Sequence, residues 1–311
     1  MRSAHGIEGV YSSRRFWSWP IGRPSAMLDL LPQLADRVRW RRRPRVGAEI
    51  RRVVDELDRD GVAILKNAVP HSLLNAALRD IDRLVERMPE LEGILRTKPG
   101  STGGTRDYLV HEYQQDLNVF RSHDPLVFSP TYARFLVLPQ LIAVATAYLG
   151  TPWYYQAMIA TRTEPLLAPT RAGFAQWHHD ARGRKLNVFL LLTDVPDDGA
   201  ATIVLKGSHR LVYTRDRRER NFFQDEEVES LAREYGGEER VCHAPAGSLL
   251  FFDSQALHRG RRSPLRRDAF QVNCMSKRSH LWPQEIPREV LASLDPADQR
   301  ALLERANLRV I

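Results

Sequence analysis

Cysteine is scarce in this chain, with only Cys242 and Cys274 among 311 residues. Two are too few for a disulfide framework, and both fall in apolar, strand-like stretches, so a reducing cytoplasm is the expected setting. Long apolar runs are missing as well. None approaches the ~20 residues that a helical membrane span needs, and no membrane partner is expected. Lysine is rare: five of the 46 basic residues are lysine and the rest are arginine. That skew looks like the codon usage of a GC-rich genome, so the net charge of +8 says little about partners. The run Arg39-Trp40-Arg41-Arg42-Arg43-Pro44-Arg45 could grip phosphates, but no aromatic-and-basic platform or recognition module follows it. It reads as a solvated charge run, and no nucleic-acid partner is expected. Among residues 1–26 the single acid is Glu8, a composition that mimics a transit peptide. The preferred reading is a basic, mobile arm over residues 1–45 of a bacterial cytoplasmic protein.

What is present is an ordinary globular composition, 43% hydrophobic, with no internal repeat and no low-complexity tract. Ile50, Val53, Val54 and Leu57 recur at helical spacing and stop at Asp60-Gly61, a turn signal. Residues 62–65 then read as a strand, and Leu74, Leu78, Ile81, Leu84 and Val85 form a second helical stripe. A break falls at 100–104, residues 105–130 look irregular, and Pro139 and Gly150 bracket a third helix. From Trp153 onward strand signals dominate, at 153–163, 186–193, 201–205, 240–243, 248–253 and 269–274. Residues 213–239 are charged and read as an exposed helical insert, and a last helix is expected over 288–308. Helices first and strands later suggest one α+β domain over 46–311 whose β half is a sandwich or barrel.

The chemistry concentrates at Gln176-Trp177-His178-His179-Asp180 and, about eighty residues on, at Leu257-His258. Two histidines and a carboxylate can fill one face of an octahedral ion and leave the other open, as in non-haem Fe(II) oxygenases. In a strand or tight turn residues i and i+2 point the same way, so His178 and Asp180 can converge while His179 faces elsewhere. His258 would then arrive on another strand. His243 is an alternative third ligand, and His209 reads as structural.

The surroundings of these residues carry a family resemblance. After the H-x-D come the apolar run Leu186 to Leu192, then Thr193-Asp194, Gly199-Ala200 and Gly207-Ser208-His209; Gly247 to Asp253 precede the distal His258. In this the chain resembles the phytanoyl-CoA dioxygenase family of iron and 2-oxoglutarate dependent oxygenases, over residues 50–275. Lys206 replaces the usual proline before G-S-H, and Arg259-Gly260-Arg261 replaces the usual small polar loop. The resemblance implies a double-stranded β-helix (jelly-roll, cupin-like) core with N-terminal packing helices. It also implies Fe(II) held by His178, Asp180 and His258, with 2-oxoglutarate and O2 as co-substrates.

Family members carry an arginine about ten residues after the distal histidine, usually as R-x-A, and its planar fork suits a carboxylate. Arg267-Asp268-Ala269 matches, with Arg266 the alternative if the strand register slips by one. Members also carry Gln and, six residues later, a basic residue on a strand facing the co-substrate. Gln156 and Arg162 fit that form, since Gln156, Met158, Ala160 and Arg162 share a face by a period of two; Arg162 could equally face solvent. Asn187 could bond the oxoacid end of the co-substrate or mark a solvent face.

The function expected from the resemblance is hydroxylation of a C–H bond in a small-molecule metabolite, with 2-oxoglutarate going to succinate and CO2. Related halogenases vacate the carboxylate position that Asp180 fills, which favours oxygenation. Arg182, Arg184, Lys185, Arg259, Arg261 and Arg262 would suit an anionic substrate if they line the pocket, and are otherwise solvated loop charges. A protein or RNA hydroxylase of the same chemistry and a catalytically silent binding module are the competing readings.

Overall fold

A computed structural model describes residues 10–12, 44–99, 105–166, 173–180, 185–213, 222–276 and 281–311. In chain order its principal elements are α1 (Ala48–Asp60), β1 (Val62–Leu65), α2 (His71–Glu86), β2 (Leu95–Pro99), β3 (Thr105–Leu109), β4 (His111–Gln114) and β5 (Val119–Ser122). Next come α3 (Pro130–Leu136), α4 (Pro139–Leu149), β6 (Tyr154–Thr163), β7 (Trp177–His178), β8 (Lys185–Leu191) and β9 (Thr202–Leu205). The last set is β10 (Phe222–Phe223), α5 (Asp225–Tyr235), β11 (Glu239–Val241), β12 (Leu249–Asp253), β13 (His258–Gly260) and β14 (Arg267–Met275).

Helix α1 forms because Val53, Val54 and Leu57 bury one stripe, and it ends where Gly61 adopts a left-handed φ of 78° and its N–H caps Leu57. A Cβ at Gly61 would strike the His209 ring, whose Nε2 bonds the Asp58 carbonyl. His209 is therefore a packing residue at this turn, as expected. Helix α2 buries Leu74, Ala77, Ile81 and Leu84 in the same manner.

Most of the strands build two antiparallel sheets, while β2 and β3 pair with each other as a separate two-stranded sheet. The larger runs β1-β12-β8-β14-β6-β5-β4, and the smaller runs β10-β7-β13-β9-β11. Alternation along the strands sorts the core into layers. Ala63, Leu65, Val188 and Phe251 face outward, into a cluster with Leu57, Ile81 and Tyr148 of the helices. Val62, Ile64, Leu250 and Phe252 face inward, where they meet Val204 and Cys242 of the small sheet. The small sheet's other face, with Trp177, Ile203 and Leu205, is covered by Val228 and Leu231 of α5. Both faces of the large sheet are thus buried, which is why its strands read as continuous apolar runs. Removing the Phe251 ring, wholly buried, would cost about 3–5 kcal/mol.

Two expectations fail. Residues 105–130, read as irregular, hold three strands, β3 to β5. The helix expected over 288–308 is broken into Arg288–Ala292 and Pro296–Arg305, because Asp295-Pro296 starts a new helix. A strand, Leu308–Val310, then pairs parallel with Gln284–Ile286. Of the N-terminal arm, Val10–Ser12 pairs antiparallel with Leu211–Tyr213, and most of residues 1–45 lies outside the described residues. So do Gly100 to Gly104 and residues 214–221 of the charged insert. Among the described residues no single helix is long and apolar enough to cross a membrane.

Candidate active site

Strand pairing brings the two halves of the motif together. On β13, His258 is the antiparallel partner of His178 on β7, and their ring centroids lie 4.2 Å apart. Just past β7, the backbone N–H of Asp180 bonds the Ser254 carbonyl at 2.9 Å, which turns its carboxylate toward the pair. Nε2 of His178 is 3.6 Å from Asp180 Oδ1, and Nε2 of His258 is 3.6 Å from Oδ2. One donor atom from each of the three residues falls within 4.8 Å of the others. Cis ligands on an ion with ~2.1 Å bonds lie about 3 Å apart, so the set needs only slight closure.

The histidines are also held in the right tautomer. Nδ1 of His178 lies 2.8 Å from the Gln176 carbonyl, and Nδ1 of His258 lies 2.9 Å from the Ala256 carbonyl. A carbonyl oxygen only accepts, so each Nδ1 carries the hydrogen and each Nε2 keeps its lone pair for a metal. Burial first, and His178 second, push His258 down to about 4, so it is neutral at pH 7. Desolvation works to raise the Asp180 carboxyl, but His258, His178, Lys185 and Asn187 outweigh it and hold the group below its usual value. Two imidazoles and one carboxylate form a donor set that fits a divalent ion.

Asn187 is fully buried on the inner face of β8. Its amide N–H donates to Asp180 Oδ2 at 2.6 Å, so the solvent-face reading does not hold. His179 is buried beside Phe223, away from the triad's donor atoms. Trp177 packs under α5, with the Arg259 guanidinium 4.6 Å above its ring. His243 is half-buried with Nδ1 against the Pro196 carbonyl, outside the triad.

Arg267 and Arg162 part company. On β14, Arg267 shares the inward parity of Asn273, the neighbour of Asn187. Its Nη1 bonds the Ala200 carbonyl at 2.7 Å and lies 3.5 Å from Thr202 Oγ1. Thr202 is two residues along β9 from Val204, the partner of His258. Arg267 Nε is buried with no hydrogen-bond partner, and among the described residues no carboxylate lies within 4 Å of the guanidinium. Burial first, then Arg121, push this guanidinium down to about 10. Arg266, by contrast, is exposed beside Asp268.

Arg162 takes the opposite face and corrects the expectation that it faces a co-substrate. It pairs with Asp268, fork to carboxylate at 2.8 Å, and with Asp82 of α2 at 2.6 Å. The period of two was read on the wrong side of the sheet: Met158 and Ala160 of that face pack into the helix-side core. Gln156 is the unpaired residue of a bulge between the Ala157–Asn273 and Tyr155–Cys274 pairs, so its link by parity to Arg162 also lapses.

Arg121 was not anticipated. It lies on β5 opposite Thr161, which is opposite Ala269, and so shares the inward face with Arg267. Burial lowers its pKa, opposed by Glu112, 3.6 Å away, and by Asp180. Phe174 lies 6.0 Å from its guanidinium and packs on Gly260, where an added Cβ would strike its ring. A charged residue among Val119, Phe120 and Ser122 was the available signal. Of the cations proposed to line the pocket, Arg259 is paired with Asp225 on the outer face, Lys185 lies near Asp180, and Arg182 and Arg184 lie outside the described residues.

Comparison with known proteins places this geometry. No curated protein sequence matches the chain. Among solved structures, the epimerase SnoN in complex with Fe3+, alpha ketoglutarate and nogalamycin RO is similar with a TM-score of 0.53, at 17% identity over 73% of this chain and 84% of SnoN. EctD from S. alaskensis, with 2-oxoglutarate and 5-hydroxyectoine, gives 0.54 at 19% identity over 76% and 78%. The carbocyclase SnoK from nogalamycin biosynthesis gives 0.52 at 16% over 74% and 84%. At these identities the likeness concerns the fold, a double-stranded β-helix with helices packed outside. A sequence model of phytanoyl-CoA dioxygenase (PhyH) matches residues 57–269, more than half the chain and both halves of the metal motif, and the protein belongs to that family.

Proposed function

We propose that this protein is an Fe(II)- and 2-oxoglutarate-dependent oxygenase that hydroxylates a C–H bond of a small-molecule metabolite. The observation that carries this reading is the buried, inward-facing Arg267 with its orphaned Nε, set beside a facial His-Asp-His triad. A buried cation without a counter-charge is costly, and a co-substrate carboxylate would supply one. Arg121 on the same face adds a second positive charge, which suits a dicarboxylate.

His178, Asp180 and His258 would hold the iron through two imidazoles and one carboxylate. Iron and 2-oxoglutarate, when bound, supply the oxidant for C–H cleavage, with O2 as the oxygen source. The chain's own contribution is positional. The carbonyls of Gln176 and Ala256 fix the two imidazoles, Asn187 holds the carboxylate, and Arg267 anchors the far end of the co-substrate. Phe252, 4.7 Å from the His258 ring, and Phe222, 5.7 Å from the His178 ring, line the histidines with apolar surface. The balance is one C–H bond, one O2 and one 2-oxoglutarate giving one C–OH, one succinate and one CO2.

A substrate with an acidic group is favoured by Arg121 and Lys185. A second outcome of the same machinery is ring closure or stereoinversion, since SnoK and SnoN are named a carbocyclase and an epimerase. Turnover under 18O2 separates the two: hydroxylation places one label in succinate and one in product, whereas a label in succinate alone would replace hydroxylation by one of the others. Absence of succinate from reconstituted protein supplied with candidate metabolites, and no iron retained, would overturn the oxygenase reading.

A further inference from the structure

The inward face of the large sheet carries three amides in a line whose cross-strand partners outside the line are apolar. Gln271 and Asn273 lie two residues apart on β14, and Asn273 is the cross-strand partner of Asn187 on β8. Their cross-strand neighbours on that face are Ala157, Ile159, Phe189 and Phe252, which give an amide nothing to bond, while Lys185 stands two residues from Asn187 near Asp180. Amides in such a place, Asn187 and Asn273 buried and Gln271 half-buried, are costly unless bonded to one another. They are: Gln271 Nε2 donates to Asn273 Oδ1 at 3.2 Å, Asn273 Nδ2 to Asn187 Oδ1 at 2.7 Å, and Asn187 Nδ2 to Asp180 Oδ2 at 2.6 Å.

We infer that Gln271, Asn273 and Asn187 form a directional amide relay that positions Asp180 as a metal ligand, with Asn273 and Gln271 acting through Asn187. This rests on the metal reading above. The direction of the relay follows from chemistry. An ionised carboxylate only accepts, so Asn187 must turn its NH2 toward Asp180, which leaves its Oδ1 facing β14. Only a donor satisfies that oxygen, so Asn273 presents its own NH2 there and its Oδ1 to Gln271. Each amide is thereby held in one of its two flips. The relay ties one carboxylate oxygen to two central strands of the sheet and restricts rotation of the Asp180 side chain, which otherwise stands at the partly exposed rim of the site. Asn273 and Gln271 are positioning residues, since neither bonds a ligand of the triad directly.

The test uses the full chain, stripped of metal and titrated with Co(II), a probe that needs neither 2-oxoglutarate nor turnover. Affinity is read by chelator competition, and geometry by the visible d–d bands. Asn187→Ala and Asn273→Ala are each expected to weaken Co(II) binding by about tenfold or more, the usual scale for partners of metal ligands, and Gln271→Leu by a few-fold. Asn273→Asp is expected to be worse than Asn273→Ala. Its carboxylate would draw the Asn187 NH2 toward itself and turn the Asn187 oxygen onto Asp180. Unfolding of each metal-free variant is measured alongside. Wild-type Co(II) affinity in Asn273→Ala, whatever its stability, or equal affinities in the Ala and Asp variants, would overturn the relay alone. Should Asn273→Ala fail to accumulate, Gln271→Leu, which alters only a half-buried side chain, decides: an unchanged affinity and spectrum overturn the relay. Co(II) binding that survives His258→Ala would overturn the metal centre itself, and the relay with it.

Discussion

Arg162 and Arg267 stand on adjacent antiparallel strands, on opposite faces of one sheet, and both are buried. Arg162 faces two carboxylates, those of Asp268 and Asp82, which outweigh burial and raise its pKa. Arg267 faces a carbonyl, a hydroxyl and another arginine, and its pKa falls. A cation whose charge is met inside the protein holds the fold together: here it ties β6, β14 and α2. A cation that no described carboxylate meets, as Arg267 on the inner face, is the one that a bound anion would pair with under the proposed function. The difference separates structure from function more sharply than either residue's burial does.

The widest break in that comparison lies at the triad itself. His258→Ala or Asp180→Ala should lose all stoichiometric iron after anaerobic reconstitution and all succinate formation, while the Arg162 network and the fold persist. Iron analysis and far-UV circular dichroism check this; full iron occupancy in His258→Ala would move attention to His243.

Next, Arg162→Leu takes from the completely buried Asp268 its bidentate partner and leaves only the exposed Arg266, 3.5 Å away. Breaking such a pair should cost about 3–5 kcal/mol of stability, read as a lowered urea midpoint. The concentration of 2-oxoglutarate needed for half-maximal rate should not change in whatever protein remains folded. A specific rise in that concentration would return Arg162 to the co-substrate.

The mirror experiment is Arg267→Leu. Loss of a charge-assisted bidentate pair should raise the 2-oxoglutarate requirement about a hundredfold, with a smaller effect on the primary substrate. Arg266→Leu should change neither. An effect in Arg266→Leu and none in Arg267→Leu would invert the reading of the two faces of β14.

The smallest effect concerns pH at the edge strand β4. Burial first, then Arg96, His123 and Arg87, push His111 down to about 4, against an ordinary value of 6.5. A group depressed in this way binds its proton more readily when unfolded. Its contribution is therefore present above pH 6.5 and lost as pH falls toward 4. Asp124, raised to about 6 by burial, acts in the opposite sense over much of the same window. His111→Asn should remove about 1–2 kcal/mol of acid-side loss between pH 6.5 and 4.5, seen in melting curves at both pH values. Parallel curves for wild type and variant would show that His111 is not buried neutral.

Much of this was legible beforehand, for reasons that differ from residue to residue. His178 and Asp180 could be paired because i and i+2 share a side in extended chain, and the distal histidine followed from the motif around it. The first two helices showed through their stripes, since one face of each is wet. Arg121 was hidden because β4 and β5 are short and mixed, at the edge of the large sheet. Arg162 was misread for the opposite reason. The central strands are covered on both faces, so alternation tells which residues go together but not which side is inward, and the bulge at Gln156 breaks the count between them.

By itself, then, the sequence determined the chemistry available and its local spacing: which donors exist, which lie two apart, and where helices start and stop. Those are short-range properties, set by backbone geometry and by the contrast between wet and dry faces. Only the tertiary structure decided which way a doubly buried strand turns, that His258 lies across from His178, and that Arg267 has no carboxylate beside it among the described residues where Arg162 has two. Such facts depend on pairs of residues far apart in the chain, and pairing in space is fixed by how the two sheets close on each other.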